Sequence, residues 1–289
     1  MITAFHSNWT RPFFYRKANE EYYIDDFEIL TTILSALKWR ELNGNIKMVT
    51  DTVGKKYYES LGIDDIWNLG IDVLLDDIDK DINPNIFWAA GKIYALSTQL
   101  EPIVMIDTDF IVWKNIYELL KDEKVVVIHS EDINEMVYPN KEYFKFKNNY
   151  IINKNFSWNI RPCNTAFTYI SHKELKEFYV KTSIDFMKNA LVNEDKIKYM
   201  VFSEQRLISM CCNYKNIKIK ELATLDYLNS NEQNLFTHTW GYKDVMRNNN
   251  ELRTKFCIRC INRIIKDYPY MKDKLINIKV LNKYMNALE

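Results

Sequence analysis

The stretch from Glu101 to Lys114, EPIVMIDTDFIVWK, constrains the fold of this chain more than any other. Four apolar residues, Ile103 to Ile106, lead into Asp107 and Asp109, and apolar residues resume directly afterwards. An apolar run this short predicts a strand that is buried on both faces, as in a parallel sheet covered by helices. The two carboxylates at its end need solvent or a counter-charge, because burying an unpaired ion is costly.

The spacing of the two aspartates suggests what the counter-charge could be. At the carboxyl end of a strand in an open α/β sheet, the counter-charge is often supplied by a ligand or a metal. Asp107 and Asp109 are two residues apart, so both carboxylates can face one hard cation such as Mg²⁺ or Mn²⁺. A solvated turn after the strand is the alternative, since Asp-x-Asp is common by chance. Both interpretations remain open for the tripeptide alone.

Strand and helix patterns alternate along the rest of the N-terminal half. Ile2 to Phe5 and Ile46 to Val49 are short apolar runs that predict strands. Between them, apolar residues recur with helical spacing from Asn19 to Leu42, and Asn43-Gly44 is typical of a helix end. This alternation favours a parallel sheet with crossover helices. We therefore predict an α/β fold, a Rossmann-like and mostly parallel sheet flanked by helices, with a C-terminal helical segment.

Composition narrows the class of protein. The 289 residues can form one large α/β domain or two small ones, and 39 basic residues balance 39 acidic ones, so bulk charge does not predict nucleic-acid binding. The N-terminus has no signal-peptide pattern, and no apolar stretch approaches the ~20 residues that span a bilayer. Five cysteines show no disulfide-framework spacing, and we interpret Cys257 and Cys260 as packing residues. We expect a reduced, cytoplasmic protein.

Three polar residues of the N-terminal half are candidate ligand contacts. His6 begins a predicted polar and aromatic loop that runs to Arg11, either a cradle for a nucleotide or a surface loop. Asp51 follows the second strand, where it could bind a ribose or base, or cap a helix. Lys92 follows Gly91 in a predicted helix and could reach a phosphate or remain solvated. The glycine there suggests a close neighbour.

The C-terminal half contributes a second group of candidates. The segment from Glu131 to Asn159 is predicted to be irregular, and its many aromatic rings suit either sugar faces or a core. Ser171 and Glu174 predict a capping box. Glu204 is predicted at the start of a helix, where the dipole alone would explain an acid.

The last candidate motif runs from Phe236 to Lys243. His238 could ligate a divalent ion, Gly241 lets a backbone approach a phosphate, and Lys243 could neutralise that phosphate. The basic helix predicted from Asp244 to Tyr268 has a charged outer face that either meets solvent or contacts a membrane surface.

Four of these motifs in this order resemble metal-dependent, nucleotide-sugar glycosyltransferases of the GT-A fold. Their positions here are Asp107-Thr108-Asp109 for the Asp-x-Asp motif, Asn164-Thr165-Ala166 for the sugar-facing turn, Glu204-Gln205 for the acidic-Gln pair and His238 to Lys243 for the C-terminal element. Two positions differ from the glycogenin-like and galactosyltransferase-like group. Lys243 comes five rather than six residues after His238, and Ala166 replaces a glycine.

The resemblance implies transfer of a sugar from a UDP- or GDP-type donor to the hydroxyl of a glycan or glycolipid acceptor, as in bacterial surface-glycan synthesis. It implies that Asp107, Asp109 and His238 hold Mn²⁺ or Mg²⁺, and that Glu204 and Gln205 act with Asp109 in catalysis. Glu204 could bind hydroxyls or act as a base, so that retention and inversion both stay open. The donor-binding candidates are His6, Asp51, Lys92, Asn164, Thr165, Gly241 and Lys243.

The same resemblance divides the chain at residue 245. It implies a GT-A domain over residues 1–245, with a nucleotide-binding half (1–110) and an acceptor half (111–245), followed by a helical tail over 246–289. We expect a cytoplasmic location, with peripheral contact at the inner membrane face as the alternative. Two other functions fit the motifs: an Asp-x-Asp phosphohydrolase, and a non-catalytic protein that binds glycan or nucleotide sugar on the same fold.

Overall fold

The computed structural model describes residues 1–147, 149–193, 195–230 and 233–285. In this part of the chain, nine strands form a seven-stranded sheet and a separate two-stranded sheet. The strands are β1 (Thr3–Asn8), β2 (Ile46–Thr50), β3 (Ile71–Val73), β4 (Ile103–Ile106), β5 (Phe110–Val112), β6 (Val125–Val127), β7 (Phe167–Ile170), β8 (Ile219–Glu221) and β9 (Phe236–His238).

The large sheet has the strand order β3-β2-β1-β4-β7-β6-β8. Strands β3, β2, β1 and β4 are parallel to one another, β7 runs antiparallel to both β4 and β6, and β8 returns parallel to β6. All four residues of β4 are buried, as expected for a strand covered on both faces. The predicted α/β class with a mostly parallel sheet is confirmed.

Helices cover both faces of the large sheet. The described residues form α1 (Arg11–Arg16), α2 (Asp26–Leu42), α3 (Thr52–Ser60), α4 (Ala90–Ser97), α5 (Tyr117–Leu120), α6 (Lys173–Asn189), α7 (Lys196–Val201), α8 (Leu207–Tyr214), α9 (Leu225–Asn229), α10 (Tyr242–Asn248), α11 (Asn250–Asp267), α12 (Lys272–Asn277) and α13 (Asn282–Met285). A π-helical turn, Phe202–Arg206, joins α7 to α8. None of the helices in the described ranges combines the length and apolar character that crossing a bilayer requires.

Alternate side chains of the sheet enter two hydrophobic clusters on opposite faces. In β4, Val104 and Ile106 belong to the cluster formed with α2 and α11–α13. Ile103 and Met105 belong to the cluster formed with α4, α6 and α8. The C-terminal helices therefore complete the core on one face of the sheet. A boundary at residue 245 remains a proposal.

Two predicted boundaries near the N-terminus were wrong. His6 was predicted in a loop, but β1 continues to Asn8 because β2 offers it backbone partners as far as Thr50. The helix predicted from Asn19 begins at Asp26, where a capping box with Asp25 as N-cap satisfies the free amide groups of the first turn.

Three further predictions were wrong in the C-terminal half. Helix α6 is capped by His172, whose Nδ1 accepts from the Leu175 amide at 3.2 Å, whereas the predicted cap, Ser171, donates to the Glu123 carbonyl instead. Glu204 lies in the middle of the continuous α7 to α8 helix, so the helix dipole does not explain it. The predicted basic helix is divided at Asn249, which caps α11.

Asp26 connects the first long helix to the C-terminal helices. Its carboxylate is fully buried and accepts from Arg253 Nε at 2.7 Å and from the Tyr284 hydroxyl at 2.6 Å, and Lys283 Nζ lies 2.9 Å away. Burial by itself would raise the pKa of Asp26, but these three partners hold it below its usual value. A buried charge is tolerated here because charged groups from α11 and α13 surround it.

We expect Asp26→Asn to lower the free energy of unfolding by about 3 kcal/mol, because it removes the counter-charge of Lys283 and one of the two carboxylates that pair with Arg253. Chemical denaturation at neutral pH measures the loss. Asp185→Asn is the matched control, because Asp185 forms an exposed pair with Lys181 and should change stability by less than about 0.5 kcal/mol. Equal losses of unfolding free energy in the two variants would contradict the role of Asp26 as a buried counter-charge.

The contribution of Asp26 should also depend on pH. Because its pKa in the folded protein lies below the unfolded value of 3.8, its stabilisation is fully present above that value and is lost as the pH falls through the folded pKa. We expect the difference in unfolding free energy between wild type and Asp26→Asn to be constant from pH 7 to about pH 5 and to shrink below about pH 4. Denaturation curves along this range measure it.

Candidate active site

A cleft of about 760 Å³ lies at the edge where β1 and β4 end. Its floor includes Ser7 and Asn8 from the end of β1, and Trp9 directly after it. Gly91 permits this arrangement, since a Cβ at that position would lie 2.6 Å from Trp9 Cβ. The close neighbour predicted for this glycine is therefore Trp9.

The motif after β4 and the motif in β9 meet in this cleft. Strand β9 pairs antiparallel with β5, and the register places His238 opposite Phe110, next to Asp109. One ligand atom each from Asp107, Asp109 and His238 lies within 4.8 Å of the others. Two carboxylate oxygens and an imidazole nitrogen at this separation could hold one divalent cation.

Asp109 is the most enclosed of the three, with 3% of its surface exposed. Its Oδ2 accepts from the Thr239 hydroxyl at 2.9 Å and lies 3.1 Å from Lys243 Nζ. Burial favours the neutral acid, but the Lys243 ammonium and the hydrogen bond from Thr239 hold the pKa of Asp109 below its usual value, so it is ionised. Burial lowers the pKa of His238 to about 4, which leaves a neutral imidazole able to ligate a metal at neutral pH.

Lys92 lies between Asp107 and Glu204. Its Nζ is 2.6 Å from Asp107 Oδ1 and also bonds Glu204 Oε1. Burial raises the pKa of Asp107 to about 6 even though Lys92 opposes the shift, and the two carboxylates raise the pKa of Lys92 against the effect of its burial. The interpretation of Lys92 as a solvated helix lysine is thus wrong. In this structure its charge is shared by two acids.

Glu204 is held by more than this lysine. The Thr165 hydroxyl donates to its Oε1 at 2.8 Å, and the hydroxyl of Tyr179 donates to its backbone carbonyl at 2.7 Å. Glu204 lies within the π-helical turn, a type of turn that is often found at functional sites. The carboxylate of Glu204 therefore already has a cation and a hydroxyl as partners.

The turn before β7 supplies the opposite wall. Asn164 Oδ1 accepts from the Ala166 amide at 3.1 Å, and Asn164 Nδ2 lies 3.4 Å from Glu131 Oε1. The Tyr138 hydroxyl lies 2.5 Å from the side-chain oxygen of Gln205. Asn164 and Gln205 thus face the same cleft as the aspartates.

The structure does not bring His6 to the cleft. This residue is fully buried inside β1, where its Nε2 pairs with Ser35 Oγ at 2.9 Å and its Nδ1 accepts from Trp67 Nε1 at 3.1 Å. Burial lowers the pKa of His6 to about 3. Because both ring nitrogens already have protein partners, the predicted nucleotide contact finds no free group here.

Two more candidates lie outside the lining of the cleft. Asp51 caps α3, with Oδ1 accepting from the Gly54 amide at 2.9 Å and Oδ2 from the Thr10 amide at 2.7 Å. The capping alternative for Asp51 is therefore the one that the structure contains. Gly241 caps α10 beside the cleft and has open space around it.

Several lining residues were not chosen individually from the sequence, although all but Trp88 lie in segments that it singled out. They are Trp9, Trp88, Glu131, Tyr138 and Trp240. Glu131 is an acid four residues after the buried strand β6, whereas Asp107 directly follows β4, so its position was the weaker signal. Trp9 lies in the loop that was considered as a nucleotide cradle. Trp88 and Trp240 had no signal of their own, because aromatic residues are equally common in cores.

The model of one protein family, described as "Family of unknown function (DUF6734)", matches residues 3–278. The chain belongs to this family. No curated protein matches this DUF6734 member.

Several solved structures are similar to this member of the family. Mouse xyloside xylosyltransferase 1 in its apo form is matched over 76% of this chain and 84% of its own, with 10% identity and a TM-score of 0.41. An active-site mutant of LgtC is matched over 83% and 88%, with 10% identity and a TM-score of 0.42. The glycosyltransferase GlyE of Streptococcus pneumoniae TIGR4 is matched over 77% of this chain and 46% of its own, with 10% identity and a TM-score of 0.38. This chain therefore spans under half of GlyE. These TM-scores are low, and the function proposed below rests on the residues of the cleft.

We expect Gly91→Ala to lower the free energy of unfolding by about 1–2 kcal/mol. The gain in helix propensity is about 1 kcal/mol, but the new Cβ would overlap Trp9 Cβ, which is too near the backbone to move freely. Urea denaturation measures the change. Gly241→Ala is the matched control, because its φ of −63° suits any residue and no atom lies within 4 Å. A Gly91→Ala variant as stable as this control would contradict the close contact.

Proposed function

We propose that this protein is a metal-dependent glycosyltransferase, which moves a sugar from a nucleoside-diphosphate sugar to an acceptor hydroxyl. The observation that carries the proposal is the convergence of Asp107, Asp109 and His238 in one cleft, flanked by Lys92 and Lys243. Three potential metal ligands beside two ammonium groups suit a diphosphate, which carries negative charge and binds Mg²⁺ or Mn²⁺.

The three side chains fit a divalent cation in their chemistry as well as their spacing. Asp109 is ionised, and His238 is neutral with a lone pair to donate. When bound, Mn²⁺ or Mg²⁺ would neutralise the charge that grows on the leaving nucleoside diphosphate. Lys243, placed beside Asp109, would add to this stabilisation from the protein side.

Three consecutive residues support binding of the nucleotide part of the donor. Ser7 Oγ, Asn8 Nδ2 and Trp9 Nε1 are buried and have no hydrogen-bond partner among the described residues. All three residues line the cleft. Buried polar groups are normally satisfied, so a ligand with matching oxygen atoms is a natural partner for them.

The donor sugar would then lie toward Asn164, Thr165 and Gln205. We propose that the amides of Asn164 and Gln205 orient its hydroxyls. Glu204, which shares Lys92 with Asp107, would hold that lysine in place. The same proposal includes a UDP- or GDP-type donor and a glycan acceptor of bacterial surface-glycan synthesis. It also includes a site of action in the cytoplasm or at the inner membrane face.

The test is a thermal-shift titration with UDP, GDP and CMP and their common sugar conjugates, each with and without Mn²⁺. A ligand that binds only the folded state at about 100 times its Kd adds about 2.7 kcal/mol, so we expect the melting temperature to rise by about 5 °C with one nucleotide and metal together. Asp109→Asn and His238→Gln should abolish the metal-dependent rise.

Asp185→Asn serves as the surface control and should keep the full rise, because its carboxylate lies on the exposed side of α6. The proposal is overturned if none of the nucleotides raises the melting temperature under any condition. A shift with inorganic phosphate and metal, but with no nucleotide, would favour the phosphohydrolase alternative instead.

A further inference from the structure

A second cavity of about 650 Å³ joins the cleft. The two spaces share a common wall, formed by Glu131, Val137, Tyr138, Asn164, His238 and Trp240. His238, one of the three potential metal ligands, therefore faces both spaces. Ser7, Asn8 and Trp9 do not line the second cavity, so a molecule bound there would approach the three potential metal ligands from another side.

The junction of the two spaces carries an ionisable carboxylate with spare hydrogen-bonding capacity. Glu131 Oε2 accepts from the Tyr138 hydroxyl at 2.6 Å, and Oε1 lies 3.4 Å from Asn164 Nδ2 and 3.8 Å from His129 Nε2. A carboxylate can accept about four hydrogen bonds, so these contacts leave room for a ligand hydroxyl. The side chain is 22% exposed, which leaves it open to that hydroxyl.

Glu131 differs in this respect from Glu204, the acid that the sequence singled out. Glu204 has 8% of its side chain exposed and is held by Lys92 and Thr165. No basic residue within the described ranges is hydrogen-bonded to the Glu131 carboxylate. The nearest basic side chain is His129, at 3.8 Å, and burial lowers the pKa of its imidazole. Glu131 is thus the more available acid for an incoming hydroxyl.

Part of the wall of the second cavity is apolar. Of the eight residues that line only this cavity, four have apolar side chains, Ile128, Leu225, Leu228 and Phe236, and four have polar ones, His129, Asp132, Asn134 and Gln233. Trp240, at the junction, is 68% exposed and stacks beside His238. The cavity is therefore amphipathic, with hydrogen-bonding groups at the junction and both apolar and polar side chains beyond it.

We infer that this second cavity binds the acceptor, and that the acceptor is a glycoside with an apolar aglycone. Its sugar would lie at the junction, where a hydroxyl donates a hydrogen bond to Glu131, and its aglycone would lie against Leu225 and Leu228. The inference rests on the proposed function for its place in a reaction, because the donor is assigned to the neighbouring cleft. Binding of the glycoside can be measured without any donor.

The test uses saturation-transfer NMR on the full chain, with octyl β-D-glucoside and octyl β-D-galactoside below their micelle-forming concentrations. The matching methyl glycosides and octanol are the comparison probes. We expect at least one octyl glycoside to bind about tenfold more tightly than its methyl counterpart and than octanol, because both ends of the cavity are then occupied. Equal binding of the octyl and methyl forms, equal binding of octanol, or no binding of either octyl glycoside would overturn the inference.

Variants on the two ends of the cavity test the orientation. Glu131→Gln should weaken octyl glycoside binding about tenfold, since a hydrogen bond to a charged acceptor is lost. Leu225→Ser should reduce the advantage of the octyl over the methyl form. Glu135→Gln, an exposed neighbour on the same segment, is the matched control and should bind like wild type. Unchanged binding in both cavity variants would contradict the orientation.

The nucleotide titration separates this inference from the proposed function. Leu225→Ser should keep the metal-dependent rise in melting temperature with nucleotide, because Leu225 lines the second cavity and not the cleft, and the rise also shows that this variant folds. If wild type shows that rise but binds no octyl glycoside, only the acceptor assignment fails. If octyl glycosides bind and no nucleotide does, the cavity assignment stands and the glycosyltransferase proposal fails.

Discussion

Two lysines from different helices make it possible to keep two aspartates at the end of a buried strand. Lys92 in α4 lies 2.6 Å from Asp107, and Lys243 in α10 lies 3.1 Å from Asp109. Lys92 couples the turn after β4 to the helix that precedes this strand, and Lys243 couples the same turn to a helix far along the chain. Without them, carboxylates at this depth would be protonated or would force the cleft open to water. The charge balance that stabilises the fold thus also sets the charges that face the cleft.

The same principle holds the C-terminal helices in place. Asp26 at the start of α2 is fully buried, and Arg253, Lys283 and Tyr284 converge on it from α11 and α13. These helices also contribute to the hydrophobic cluster on one face of the sheet. Because α10, which carries Lys243, directly precedes α11, the Asp26 contacts help fix the position of a cleft residue.

Local sequence patterns predicted the elements that are determined by residues close together in the chain. The apolar run Ile103 to Ile106 became β4, and Asn43 and Gly44 ended α2 as expected. Predictions failed where a distant group decided the outcome. His6 is occupied by Ser35 and Trp67, and neither residue lies near it in sequence.

The sequence by itself determined the class of fold and the ligand types at its centre, because strand periodicity and the Asp107, Asp109 and His238 motifs are local properties. Only the tertiary structure decided which acids are available. It paired Glu204 with Lys92 and left Glu131 without a bonded basic residue among the described residues, since both outcomes depend on contacts between segments far apart in the chain. Register also had to be known, because the β5 to β9 pairing is what carries the distant histidine to the two aspartates.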